Sequence, residues 1–224
     1  MTASESPYLN VLRDQADKPW ARFLFAHGAG APMDSSFMTD TAAAIAHYGV
    51  EVVRFEFPYM AARRSEGKRR PPDRTEKLLA CWDEIIERYA GDRLPLFIGG
   101  KSMGGRMATL WSAQNRGGDC RGIVCFGYPF HPAGKPEKLR VEHLANCGIP
   151  LLIVQGERDP LGSREEVDTY DLTPSTRVHW LAAANHDLKP LRSSGVSHAQ
   201  HMAAAADAAV SFMREAAKLD TAVR

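Results

Sequence analysis

The chain has 224 residues, 28 Lys+Arg against 27 Asp+Glu, 44% hydrophobic residues and four cysteines. This length suits a single domain over residues 1–224 with a core that needs no staples, and a formal net charge of +1 excludes the strong basic excess of a dedicated nucleic-acid binder. No apolar run is long enough to span a membrane, the first residues lack the build of a secretory signal, and Cys81, Cys120, Cys125 and Cys147 lack disulfide or zinc spacing, so reduced thiols in a cytoplasmic protein are expected.

Short apolar runs alternate with segments of helical pattern. Arg22 to Ala26 reads as a strand, Ser35 to His47 as a helix stopped by Gly49, and Glu51 to Phe55 as the next strand. Between Arg63 and Arg74 stand Arg63, Arg64, Lys68, Arg69, Arg70 and Arg74 against only Glu66 and Asp73. With Gly67 and Pro71-Pro72 in the same stretch, an exposed loop is expected rather than a regular helix. Asp73 and Glu76 have capping-box spacing for a helix running to about Ala90, followed by a strand at Leu96 to Ile98. A helix after Ser102, strands at Ile123 to Phe126 and Leu151 to Val154, a capped helix from Ser163, a strand at Arg177 to Leu181 and an Ala-rich helix opened by Ser197 and Gln200 complete the chain. Apolar strands alternating with helices predict an α/β fold, a three-layer α/β/α sandwich around a mostly parallel sheet, with ligands bound at the carboxyl ends of the strands.

One such end carries Gly100-Lys101-Ser102-Met103-Gly104, a GxSxG sequence between a strand and a helix. Small residues on both sides let the chain reverse sharply and expose the serine, which is the setting of a nucleophile elbow. A phosphate-cradling loop is the competing reading. It fails because GxxxxGK[ST] is missing, as is GxGxxG with an acidic residue about twenty positions on. A serine hydroxyl needs a histidine base and an acid to orient it, in the chain order Ser, Asp, His. Asp159 follows the strand at Leu151 to Val154 and His186 follows the strand at Arg177 to Leu181, so these are the expected acid and base. Glu157 is the nearest competing acid, and Asp187 is too close in sequence to reach the His186 ring. An oxyanion hole needs two aimed backbone N–H groups. Met103 supplies one; Ala29, in His27-Gly28-Ala29-Gly30, is the choice for the other, with Gly28 its neighbouring competitor. His27 is expected to order this loop.

Together the HG-type loop, GKSMGGR, GERDPLG and NHDLKP resemble the α/β-hydrolase superfamily over nearly the whole chain. More narrowly, HGAGAPMDS, SMGGR and RDPLG resemble a small group of hydrolases that includes testis-expressed protein thirty and the third subunit of the NSL chromatin complex. The superfamily resemblance implies Ser-His-Asp hydrolysis of an ester, thioester or related acyl substrate through an acyl-enzyme, without a cofactor. Acyl transfer to another acceptor uses the same residues, and a hydrolase-fold scaffold without activity is the alternative. The expected partner is a small-molecule acyl substrate; no nucleic acid, metal or membrane span is expected. His198 and His201 share a helix face but do not make a metal site. Arg63, Arg64, Arg69 and Arg70, with Lys68, are candidates for recognising an anionic substrate group. No interval is long enough for a large cap domain, so an open, minimal hydrolase is expected.

Overall fold

A computed structural model describes residues 9–221 apart from Asp92 and Arg116. Among the described residues, seven strands form one sheet: β1 (Val11–Asp14), β2 (Ala21–Ala26), β3 (Val50–Phe55), β4 (Leu96–Lys101), β5 (Cys120–Phe126), β6 (Leu151–Gly156) and β7 (Thr176–Leu181). Their order is β1-β3-β2-β4-β5-β6-β7, with β1 antiparallel at one edge and the rest parallel. The helices are α1 (Ser36–His47), α2 (Pro58–Glu66), α3 (Thr75–Tyr89), α4 (Met103–Asn115), α5 (Arg164–Val167) and α6 (His198–Thr221).

Strand periodicity builds the two core layers. Alternate residues point to opposite faces, so Phe23 and Phe25 of β2 join Met38 and Ile45 of α1 and Ala205, Ala209 and Met213 of α6 on one side. Leu24 and Ala26 join Leu78, Trp82 and Ile85 of α3 and Met107 and Trp111 of α4 on the other. Both faces are thus covered, as apolar parallel strands require. No inserted cap domain covers the strand ends among the described residues.

Three expectations are corrected. A further strand, β1, precedes the first expected one. It is only four residues long, Val11-Leu12-Arg13-Asp14, partly exposed throughout, and tied to β3 by ion pairs, Arg54 to Asp14 at 2.8 Å and Arg13 to Glu51, that apolar periodicity cannot reveal. The basic stretch is not all loop. Helix α2 takes in Arg63 and Arg64, because Pro58 suits a first helical position and Gly67, at φ 68°, supplies the left-handed cap that ends it. Only residues 67–74 are irregular. Asp73 makes no capping box, since the cap position is Arg74 and the Asp73 carboxylate accepts from Lys77 Nζ at 3.0 Å. The Ser163/Glu166 capping box is present but its helix, α5, is a single turn. Ser197 and Gln200 cap each other reciprocally, at 2.8 and 3.2 Å. The four cysteines are buried and free.

Candidate active site

The elbow forms because its glycines leave no room for anything else. A Cβ on Gly100 would lie 2.5 Å from the Ala26 carbonyl oxygen, and one on Gly104 would lie 2.5 Å from the His27 carbonyl oxygen. Close contact between β4, the end of β2 and the start of α4 is therefore built from bare backbone. Ser102 sits at φ 51°, a left-handed conformation that non-glycine residues seldom adopt, and its N–H donates to Phe126 O at 3.0 Å.

Two turns at neighbouring strand ends bring partners to this serine. His186 Nε2 is 2.9 Å from Ser102 Oγ, and His186 Nδ1 is 2.7 Å from Asp159 Oδ2. Asp159 is fully buried, and its carboxylate is held from three sides. Leu161 N–H donates to Oδ1 at 2.8 Å, while Gln155 Nε2 donates to Oδ2 at 2.9 Å beside the histidine. An ionised aspartate accepts at every oxygen, so Nδ1 carries the imidazole proton and Nε2 is the acceptor facing the serine hydroxyl. The competing acids are occupied elsewhere. Glu157 accepts from the Ala183 N–H and from Arg164, both at 2.9 Å, and Asp187 lies 3.3 Å from Lys101 Nζ.

Two residues of this network have no role expected from the sequence. Gln155, fully buried at the end of β6, accepts from Tyr128 N–H at 2.7 Å and donates to Asp159 and to Gly162 O. Its sequence signal is one amide closing an otherwise apolar strand, Leu151-Leu152-Ile153-Val154-Gln155. Lys101, buried beside Ser102, donates to the His186 carbonyl and sits 5.1 Å from the centre of the Phe37 ring. Burial pulls its pKa below the usual lysine value, against the opposing pull of Asp187 and Asp159. His198 and His201 bond the carbonyls of Asp187 and Leu188, both at 3.1 Å, so the histidine pair on α6 anchors the loop that carries His186.

The loop after β2 is ordered from beneath by His27. Its Nδ1–H donates to Gly28 O at 2.7 Å and its Nε2 accepts from Phe57 N–H at 3.1 Å, a pattern only the neutral ring can make. Burial lowers its pKa in agreement with that. Tyr59 Oη, 3.0 Å from Ala29 O, turns that peptide's carbonyl toward α2. Among the described residues, the N–H groups of Met103 and Ala29 donate to no protein group.

The basic stretch divides. Arg64 is fully engaged, bidentate to Asp34 at 2.9 and 2.8 Å and again to Glu56 at 3.2 and 2.9 Å. Arg70 pairs with Glu66. Arg63, one turn beyond Tyr59 on α2, is half-buried, and Lys68 and Arg69 are exposed.

A seven-stranded, mostly parallel sheet with a serine at a strand-to-helix elbow, facing a histidine and a buried aspartate, defines an α/β-hydrolase fold. The family described as Alpha/beta hydrolase domain matches residues 19–214, and the chain belongs to it. Solved structures agree on the fold. Est1E from Butyrivibrio proteoclasticus aligns with a TM-score of 0.69 at 12% identity, over 94% of this chain and 95% of that one. Dienelactone hydrolase from Anabaena variabilis aligns with a TM-score of 0.68 at 20% identity, over 92% and 91%. Monoacylglycerol lipase from Paleococcus ferrophilus gives 0.63 at 14% identity, over 92% and 99%.

Proposed function

We propose that the protein is a serine hydrolase that cleaves an ester or thioester through an acyl-enzyme. The hydrogen-bonded run from Ser102 through His186 to the fully buried Asp159, at 2.9 and 2.7 Å, is the observation that carries this reading. Ser102 Oγ attacks the acyl carbon while His186 Nε2 takes its proton, and Asp159 steadies the resulting imidazolium. The Met103 and Ala29 N–H groups stabilise the oxyanion of the tetrahedral intermediate. Collapse expels the alcohol or thiol, which takes the proton from His186; a water then attacks the acyl-enzyme and gives its proton to His186, and collapse releases the acid as Ser102 Oγ takes that proton back. The esterase, dienelactone hydrolase and lipase names of the structural neighbours support ester chemistry, and the HGAGAPMDS, SMGGR and RDPLG segments support grouping with the small hydrolases named above.

A fluorophosphonate probe followed by mass spectrometry tests this. Wild type is expected to gain one adduct on Ser102, and Ser102→Ala none, with ester turnover lower by about 10⁴-fold or more. Folded wild-type protein that takes no adduct and turns over no ester is instead a scaffold.

A further inference from the structure

The arginine of SMGGR has no role in the chemistry above. Arg106 stands one turn beyond Ser102 on α4, its N–H donating to Ser102 O at 3.0 Å. Met103, Arg106 and Leu110 share the partly buried side of α4, while Gly104, Gly105, Met107, Ala108 and Trp111 are buried. Arg106 Nε is buried and has no hydrogen-bond partner among the described residues. Among the described residues its guanidinium makes no ion pair; burial, and then the charge of Arg140, depress its pKa against an opposing pull from Tyr128.

Among the described residues, the hydrogen bonds of Arg140 are those of its backbone. Its N–H donates to Phe130 O at 2.8 Å and its carbonyl accepts from Tyr128 Oη at 2.9 Å. Tyr128 is also bonded through Gln155 to Asp159, so one framework positions both the arginine pair and the acid of the site. His143, whose Nε2 is 2.9 Å from Thr109 Oγ1 and 3.3 Å from Tyr128 Oη, is pushed down to about 4 by burial and then by the Arg106 charge. Arg106, one turn from Ser102, keeps a buried orphan donor; Thr109, His143 and Tyr128 link its backbone carbonyl to that of Arg140, and among the described residues neither guanidinium has an ion pair, an arrangement that an oxyanion completes.

We propose that Arg106 and Arg140 form an anion subsite next to Ser102, and that the substrate is an acyl compound bearing a carboxylate or phosphate group. This rests on the hydrolase reading and names its substrate class. The assay compares 4-nitrophenyl half-esters of succinic, glutaric and adipic acids with the neutral butyrate, valerate and hexanoate esters on the full chain. Wild type is expected to favour one length of half-ester, with the anionic-to-neutral ratio of kcat/KM falling roughly 10- to 100-fold in Arg106→Gln and in Arg140→Gln. High salt lowers the same ratio. Competition by glutarate and by inorganic phosphate distinguishes the two anions, and the stronger inhibitor identifies the group. An unchanged ratio in both variants overturns the proposal. Should Arg106→Gln not fold, Arg140→Gln decides alone. If Ser102 takes no probe and no ester turns over, the hydrolase reading has failed but the subsite is still read by calorimetry. Glutarate or phosphate heat lost in Arg140→Gln supports it, and no heat with either anion on wild type overturns it.

Discussion

Two segments stand out in the sequence, the glycine-flanked elbow at residues 99–105 and the basic stretch at residues 63–74, and the fold treats them in opposite ways. In the elbow, backbone presses on backbone: Gly99, Gly100 and Gly104 each have a carbonyl oxygen within 2.6 Å of where a Cβ would stand. In the basic stretch, Gly67 has nothing within 4 Å. The first is rigid because sterics allow one arrangement. The second is held by charge, with Arg64 between Asp34 and Glu56 and Arg70 on Glu66. Local composition marks both segments as unusual, but only close packing converts an unusual segment into a preorganised site.

A pair of glycine substitutions breaks or sharpens this contrast, and gives the largest effect. Gly104→Ala drives a methyl into the Ala26 and His27 carbonyls at 2.6 and 2.5 Å, neither of which can yield without moving the end of β2. A loss of about 3 kcal/mol or more is expected, with collapse of turnover. Gly67→Ala meets open space and only the left-handed φ of 68°, so about 1 kcal/mol is expected. Thermal unfolding of both variants measures the difference; equal losses would contradict the assignment of the elbow as the tightly packed segment.

The same contrast explains what the sequence could show. Strands β2 to β6 carry apolar runs and β7 alternates Arg177, Val178, His179, Trp180, so all of them declare themselves. The residues hydrogen-bonded in line with Ser102, His186 and Asp159, are also legible, since each lies just past a strand end. What hid was whatever depends on distant pairing. β1 is short and edge-bound, fixed by Asp14 and Arg54 across 40 residues. Arg64 looks free until Asp34, 30 residues away, folds against it. Gln155 stands out only as a lone amide closing an apolar strand and Lys101 not at all, because their roles are defined by His186 and Asp159, which reach them only through turns.

Lys101 is the buried cation of the elbow, and removing it probes how far that rigidity serves the histidine. Lys101→Met keeps much of the side chain's bulk and loses the bond to the His186 carbonyl. Loosening a positioned base commonly costs tens-fold in rate, so kcat is expected to fall about 10- to 100-fold. Asp187→Asn should do much less, because Asp187 is largely exposed and its pairing with Lys101 is screened. Steady-state kinetics on a neutral ester reads both; an Asp187→Asn loss as large as that of Lys101→Met would place the effect in the ion pair rather than in the carbonyl bond.

Arg64 is the corresponding cation of the basic stretch, and it predicts the smallest effect, one of stability and not of chemistry. Arg64→Gln is expected to cost about 1 kcal/mol near neutral pH, since Arg64 and Asp34 are each 44% exposed. The pH dependence has a definite sign. The Arg64 hydrogen bonds hold the Asp34 carboxyl below its ordinary value of about 3.9. As pH falls past that value the unfolded chain takes up the proton first, so the pair's contribution is fully present above about pH 4 and is lost as pH drops through the lower, folded value. Denaturant melts at pH 7 and pH 3 should therefore show the gap between wild type and Arg64→Gln narrowing in acid. A gap that stays constant would mean that Asp34 gains nothing from Arg64 and that Glu56, buried at the end of β3, is the partner that holds the arginine in place.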